Sequence, residues 1–375
     1  MSRRRKLGYA LLALALALLL AELATKAWLL LLADEASFRR FASLSQLRAR
    51  YGAFDRFEAH RHLGFALAPG FRSGPNRHNA LGMRGDEVAV RKPAGTVRIV
   101  CCGGSTTYGE GVLDPRETVP FLLQTGLRDA GAAVEVLNAG CPGWTTLETR
   151  INFETRLLDL APDWIVVYHG INDVLPRIVW PPDAFRGDVS GWLERREWFR
   201  EASLLERSDL GRLLLVATGR IEPHGSLLRV IGDVPPTSHT FLFRTQRMAG
   251  TYPEGVFRDV PVERMLEAND ARYFRRNLES LIAAAKAHGV EVLLTTFAYS
   301  REFGHRPYIG HPAVQRAIDG TNAIVRELAA QRGTGLVDLA PELTERALFT
   351  DGVHFTAAGN ARRAELLRAW FAERL

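Results

Sequence analysis

The chain has 375 residues, 47% of them hydrophobic and 24% charged, an ordinary composition for a folded protein with a large core in one or two domains. Its net charge of +6 is concentrated at one end: Arg3, Arg4, Arg5 and Lys6 carry four of those charges, leaving 44 basic against 42 acidic residues. No long Lys/Arg run follows, so the basic balance does not point to nucleic acid. Three cysteines without CxxC or zinc spacing supply neither a disulfide framework nor a structural metal site.

The basic cluster abuts "LGYALLALALALLLA", an uncharged apolar run from Leu7 to Ala21, and a second apolar run covers Ala27 to Ala33. Together they are long enough to span a bilayer. Glu22 and Lys26 lie between them at i, i+4 spacing and can pair on one helix face. Glu22 falls at the −3 position of a cut after Ala24, which makes a poor cleavage site. The reading is therefore an uncleaved signal anchor over residues 1–36, with a cleaved, secreted form as the alternative. Positive charge before the span, with Asp34 and Glu35 after it, places the body of the protein outside the cytoplasm.

Residues 37–95 read as a lead-in. Ser37 to Arg61 is expected to be helical, and "HLGFALAPGFRSGPNRHNALGMRGDE" suits short strands and turns. From residue 96 onward strands alternate with amphipathic helices. The strands are "VRIVCCGG", "VEVLNAG", "WIVVYHG", "VEVLLTTFA" and "TGLVDLA". Short apolar strands alternating with helices predict an α/β fold: a flavodoxin-like three-layer αβα sandwich around a five-stranded parallel sheet, with sites at the carboxyl ends of the strands. Cys101 and Cys102 are adjacent on the first strand and should fill the core on opposite faces. The pattern breaks over residues 174–266, an insertion with Trp180, Trp192 and Trp198 that is expected to form a lid or small subdomain.

Four short stretches fall at or beside the carboxyl ends of the predicted strands. They are "GGSTTYG" with Ser105, "NAGCPG" with Asn138, Gly140 and Gly143, "GIND" with Gly170, Asn172 and Asp173, and "DGVH" with Asp351 and His354. Each alone has a plain explanation. Ser105 suits a helix N-cap, Asn172 and Asp173 suit turns, His354 suits a surface position, and Asp351-Gly352 suits an ordinary turn. Ser105 also suits a phosphate-binding turn, but such a loop has no need of "DGVH" or "GIND". Taken together, in this order and on one sheet edge, they suit nucleophilic catalysis. A Ser hydroxyl needs a base, which His354 supplies, and Asp351 three residues earlier can hold the imidazole. His169 and Asp173 read as supporting residues, and His305, Tyr308 and His311 as loop residues. The insertion tryptophans read as core of the subdomain.

On these four blocks the chain resembles the SGNH (GDSL-like) hydrolase superfamily over Val97 to about Phe355, the insertion apart. Gly104 departs from the family spelling, standing where Asp is common. "NALGMRGDE" and the N-terminal segment resemble a bacterial, membrane-anchored esterase/acylhydrolase branch. The resemblance implies catalytic Ser105, Asp351 and His354, and an oxyanion hole of the Ser105 N–H, the Gly143 N–H and the Asn172 side-chain amide. It implies no cofactor and no metal. The expected activity is a serine esterase removing a short, O-acetyl-like acyl group from an envelope or exported glycan. The alternatives are an O-acyltransferase on polysaccharide using the same site, a lipase or lysophospholipase, and a non-catalytic glycan-binding envelope protein. The expected partners are the acyl ester and the membrane, with no nucleic acid.

Overall fold

The computed structural model describes residues 2–51, 56–60, 62–179, 182, 185–187, 203–221, 223, 261–304, 306 and 309–375. Trp180, Trp192, Trp198, His305 and Tyr308 lie outside the described residues. The chain divides into two compact units, Met1–Arg56 with Arg196–Asp233, and Phe57–Arg195 with Val234–Leu375.

In the first unit, Arg3–Leu32 is a 30-residue helical stretch with mean hydropathy 2.2, long and apolar enough to cross a membrane. At 1.5 Å per residue it is about 45 Å long, more than a hydrocarbon core requires. The helix expected across Ser37–Arg61 is in fact two short helices, Glu35–Phe41 and Leu44–Tyr51. Its far end belongs to the second unit and is a strand: Phe57–His60 pairs antiparallel with Gly64–Leu67. Cross-strand packing overrides local helix preference there, with the Phe57 and Phe65 rings edge to face at 5.7 Å.

The second unit is built on five parallel strands, β1 (Val97–Gly103), β2 (Val134–Gly140), β3 (Trp164–Tyr168), β4 (Glu291–Thr295) and β5 (Gly335–Val337). Their order across the sheet is 2-1-3-4-5, the flavodoxin-like order, with its switch point between β1 and β3. Strand alternation sends the side chains of the sheet into two separate clusters, one on each face. Val100, Cys102, Leu137, Val167 and Leu294 face one way, against Phe153, Leu157, Leu278, Leu281 and Leu328. Ile99, Cys101, Val136, Val166 and Leu293 face the other, against Leu123, Leu127, Leu367 and Phe371. The two adjacent cysteines thus fill opposite layers, and both thiols are held well above their ordinary range, chiefly by burial. The covering helices that matter for the site are α1 (Ser105–Tyr108), α2 (Thr146–Asn152), α3 (Ile171–Val179), α4 (Pro312–Arg332) and α5 (Ala357–Ala372).

Candidate active site

The turn that carries Ser105 is made by close approach. Gly103 ends β1, Gly104 is the N-cap of α1, and Ser105 is its first helical residue. A β-carbon on Gly140 would lie 2.3 Å from the Tyr108 nitrogen, and one on Gly103 would lie 2.5 Å from the Tyr168 carbonyl, so neither position has room for a side chain. The Ser105 carbonyl accepts the N–H groups of Gly109 and Glu110, both at 2.9 Å. Gly109 closes the single turn at φ 93°, a conformation that favours glycine. As the first residue of a helix, Ser105 has an N–H without an intrahelical acceptor.

The Ser105 hydroxyl does not cap this helix. It lies 2.8 Å from His354 Nε2, and His354 Nδ1 lies 2.7 Å from Asp351 Oδ2. The other Asp351 oxygen accepts the backbone N–H groups of Val353 and His354 at 3.1 and 2.9 Å. Burial opposes ionisation of Asp351, but these hydrogen bonds and the imidazole prevail and hold its pKa down at about 2. The turn carrying both residues is pinned at its neck, where the Thr350 N–H donates to the His354 carbonyl (2.8 Å) and Phe349 bridges Phe355. Its outer end is held by the Ser300 N–H, which donates to the Gly352 carbonyl at 2.9 Å.

Asn172, near the start of α3, donates one amide hydrogen to the Trp144 carbonyl at 3.1 Å and keeps a second. Its Nδ2 occupies the space beside Gly104, where a β-carbon would approach it to 2.4 Å. Gly143, one residue before Trp144, adopts φ 81°, the left-handed region that glycine tolerates. The structure therefore gathers Ser105, Asp351 and His354 into one hydrogen-bonded chain and brings Asn172 against the Gly104–Ser105 turn. Asn138 is structural: its amide donates to the Tyr108 carbonyl at 3.1 Å, and its Oδ1 accepts the Gly140 N–H at 3.1 Å. His311 caps the N-terminus of α4, accepting the Ala313 N–H at 3.2 Å.

Asp173 is fully buried behind this arrangement. Its Oδ1 accepts both the N–H (3.0 Å) and the hydroxyl (2.6 Å) of Thr146, joining the loop that carries Gly143 to the helix that carries Asn172. Among the described residues its Oδ2 has no hydrogen-bond partner, and it stands 3.6 Å from His169 Nδ1. Burial drives both groups toward neutrality, Asp173 up to about 7 and His169 down to about 3, so this contact is not an ion pair. The His169 Nε2 pairs with the Thr149 hydroxyl at 2.7 Å.

Two arginines enter the picture that sequence reasoning did not single out. Arg84, in the lead-in, is buried and donates to the carbonyls of Tyr108, Gly109, Val112 and Leu113 at 2.7–3.0 Å. It fixes the chain leaving α1. Arg363, on α5, is also buried; it donates to the Thr106 carbonyl at 3.1 Å and lies 3.6 Å over the Tyr168 ring. The only trace of either in the sequence is an arginine inside "MRGDE" and another on a helix face, and nothing local marks where they reach.

A family model described as the GDSL-like Lipase/Acylhydrolase family matches residues 101–362, more than half of the chain and inclusive of all four blocks. Similar solved structures include a GDSL-like lipase from Bacteroides thetaiotaomicron, at 16% identity over 74% of this chain and 89% of that one, with a TM-score of 0.40. A lipase/acylhydrolase from Enterococcus faecalis is 18% identical over 74% and 97%, TM-score 0.43. An acetylxylan esterase from Geobacillus stearothermophilus is 15% identical over 72% and 92%, TM-score 0.41. No curated protein matched the chain. On the family match, which begins within β1 and takes in the other four strands and all four blocks, this chain belongs to the GDSL-like lipase/acylhydrolase family.

Proposed function

We propose that the protein is a serine esterase whose nucleophile is Ser105, whose base is His354 and whose orienting carboxylate is Asp351. The observation that carries this reading is the continuous chain Ser105 Oγ–His354 Nε2–His354 Nδ1–Asp351 Oδ2, with links of 2.8 and 2.7 Å. As the Ser105 oxygen attacks the ester carbonyl, its proton passes to His354 Nε2. The carbonyl oxygen becomes an oxyanion, received by the Ser105 N–H, the Gly143 N–H and the remaining amide hydrogen of Asn172. His354 returns the proton to the departing alcohol, leaving an acyl-Ser105. Water then attacks the acyl carbon, giving its proton to His354, and the acid leaves as Ser105 is reprotonated.

The substrate class we assign is a short acyl ester, O-acetyl-like, on an envelope or exported glycan. It is supported by the N-terminal helix, whose length, apolarity and basic flank suit a single-pass anchor with the esterase outside the cytoplasm. The test is turnover of acetyl against long-chain esters by the full-length protein, with acetylated oligosaccharides included. Preference for the acetyl esters, with release of free acetate, is expected. Preference for long chains would move the assignment to a lipase. Acetylated sugar in place of acetate, when an acceptor is supplied, would move it to a transferase and leave the site residues unchanged.

A further inference from the structure

The long N-terminal helix is tied to a segment some 186 residues further along the chain. The Glu22 carboxylate accepts hydrogen bonds from the Ser208 hydroxyl (2.6 Å), the Asp209 N–H (2.7 Å) and the Leu210 N–H (2.9 Å). These donors form the N-terminus of the nine-residue helix Asp209–Ala217, whose first amides have no intrahelical acceptor. Each side meets a need of the other. The helix gains an anionic acceptor at its positive end, and an acidic residue inside a 30-residue apolar stretch gains three donors. A second fastening lies alongside. The buried Arg212 donates to the Phe41 carbonyl at 2.8 Å and to Gln46 Oε1 at 3.0 Å, and the Gln46 amide donates to Asp209 at 2.9 Å.

We propose that the N-terminal helix is a permanent part of the folded protein, and that the insertion helix Asp209–Ala217 is fastened to it through Glu22 as a juxtamembrane brace. This rests on the reading of Arg3–Leu32 as a membrane span. A leader that is removed has no use for a specific partner in a distant part of the chain, and its loss would strip the brace of its acceptor. With Lys6 at one membrane face, a span of about 20 residues ends near Lys26, so Glu22 lies about one helical turn inside the far boundary. The end of the brace that meets Glu22 is thus at the outer edge of the hydrocarbon, just beneath the headgroups. Leu204, Leu205 and Leu214 are exposed (81, 64 and 53%), as are the leucines from Leu7 to Leu23 on the spanning helix, and lipid is the surface that fits both.

The experiment uses full-length protein in lipid nanodiscs. Intact mass should show an N-terminus that includes Glu22. Hydrogen exchange at residues 209–217 should quicken about tenfold or more in Glu22→Leu, less in Glu22→Gln, which keeps one acceptor oxygen. A dye on Leu205→Cys should be quenched by nitroxide-bearing lipid. A mature N-terminus beyond Glu22, or unchanged exchange in Glu22→Leu, overturns the brace; an unquenched dye overturns its lipid contact. Fluorophosphonate labelling of Ser105 should be equal in all variants, so loss of the esterase reading registers separately. Full-length protein in the soluble fraction would remove the membrane reading itself.

Discussion

Gly104 and Asn172 meet beside Ser105 in a way that gives both residue types a physical reason. Gly104 has no β-carbon, and Asn172 Nδ2 fills the space one would take, 2.4 Å away. A methyl there displaces the end of a flexible side chain, so Gly104→Ala should fold normally and still lose rate. Asn172→Ala should lower kcat by about 10²–10³-fold with little change in KM, the usual loss for one oxyanion donor. If Gly104 acts through Asn172, the double variant should be no slower than Asn172→Ala alone. Fully additive losses would place Gly104 in a separate role. Asp351 gives a sharper test of electrostatics. Its pKa, held down at about 2, keeps the carboxylate that orients the imidazole charged across the neutral range. Asp351→Asn should cost about 10⁴ in kcat by disfavouring the required tautomer.

The elements that carry these residues are locked together by buried polar links that the sequence does not display. The blocks themselves were legible, because Ser105, Gly143, Asn172 and His354 each follow a predictable strand in a fixed order. Thr146 and Arg84 were not, because a hydrogen bond between positions 27 or 24–29 residues apart leaves no local pattern. The link from Thr146 to Asp173 makes its own prediction. Asp173→Asn keeps an acceptor for Thr146 in a neutral form and should retain fold and most activity. Asp173→Ala leaves two buried donors unpaired and should cost about 1–3 kcal/mol, with a fall in kcat as Asn172 and the Gly143 loop lose registry. The pH dependence has a definite sign. Asp173 is raised from 3.8 to about 7 in the folded chain, so its stabilising contribution is complete below 3.8 and is lost as pH rises through about 7. The melting temperature of wild type minus that of Asp173→Asn should therefore fall between pH 4 and pH 8. A difference that rises or stays flat would mean Asp173 is ionised in the fold. Arg84→Met, which abandons four carbonyls of one loop, should destabilise by about 3 kcal/mol, measured by denaturant unfolding.

At the scale of the whole molecule, the parallel sheet and its longer helices followed from periodicity, since strands buried on both faces read as short apolar runs, whereas the helices Ser105–Tyr108 and Ile171–Val179 stand where turns and the start of the insertion were expected. The stretch before them was misjudged at Phe57–His60, where a hairpin partner, not local preference, decides the conformation. The partnership between the N-terminal helix and Ser208–Leu210 was invisible for the same reason as Arg84: its two halves are far apart in the chain. A reporter fused after Leu375 should be active only outside the cytoplasm, and cytoplasmic activity would remove the envelope substrate from the account. Whether Ser105 is the nucleophile of an esterase is decided by covalent trapping. Purified full-length protein and its Ser105→Ala variant are treated with a fluorophosphonate, the adduct is mapped by mass spectrometry, and acetyl-ester turnover is followed in parallel. The account predicts a single adduct on Ser105 and loss of both labelling and turnover in a folded Ser105→Ala. An adduct on another residue, or turnover retained by the folded variant, would contradict it.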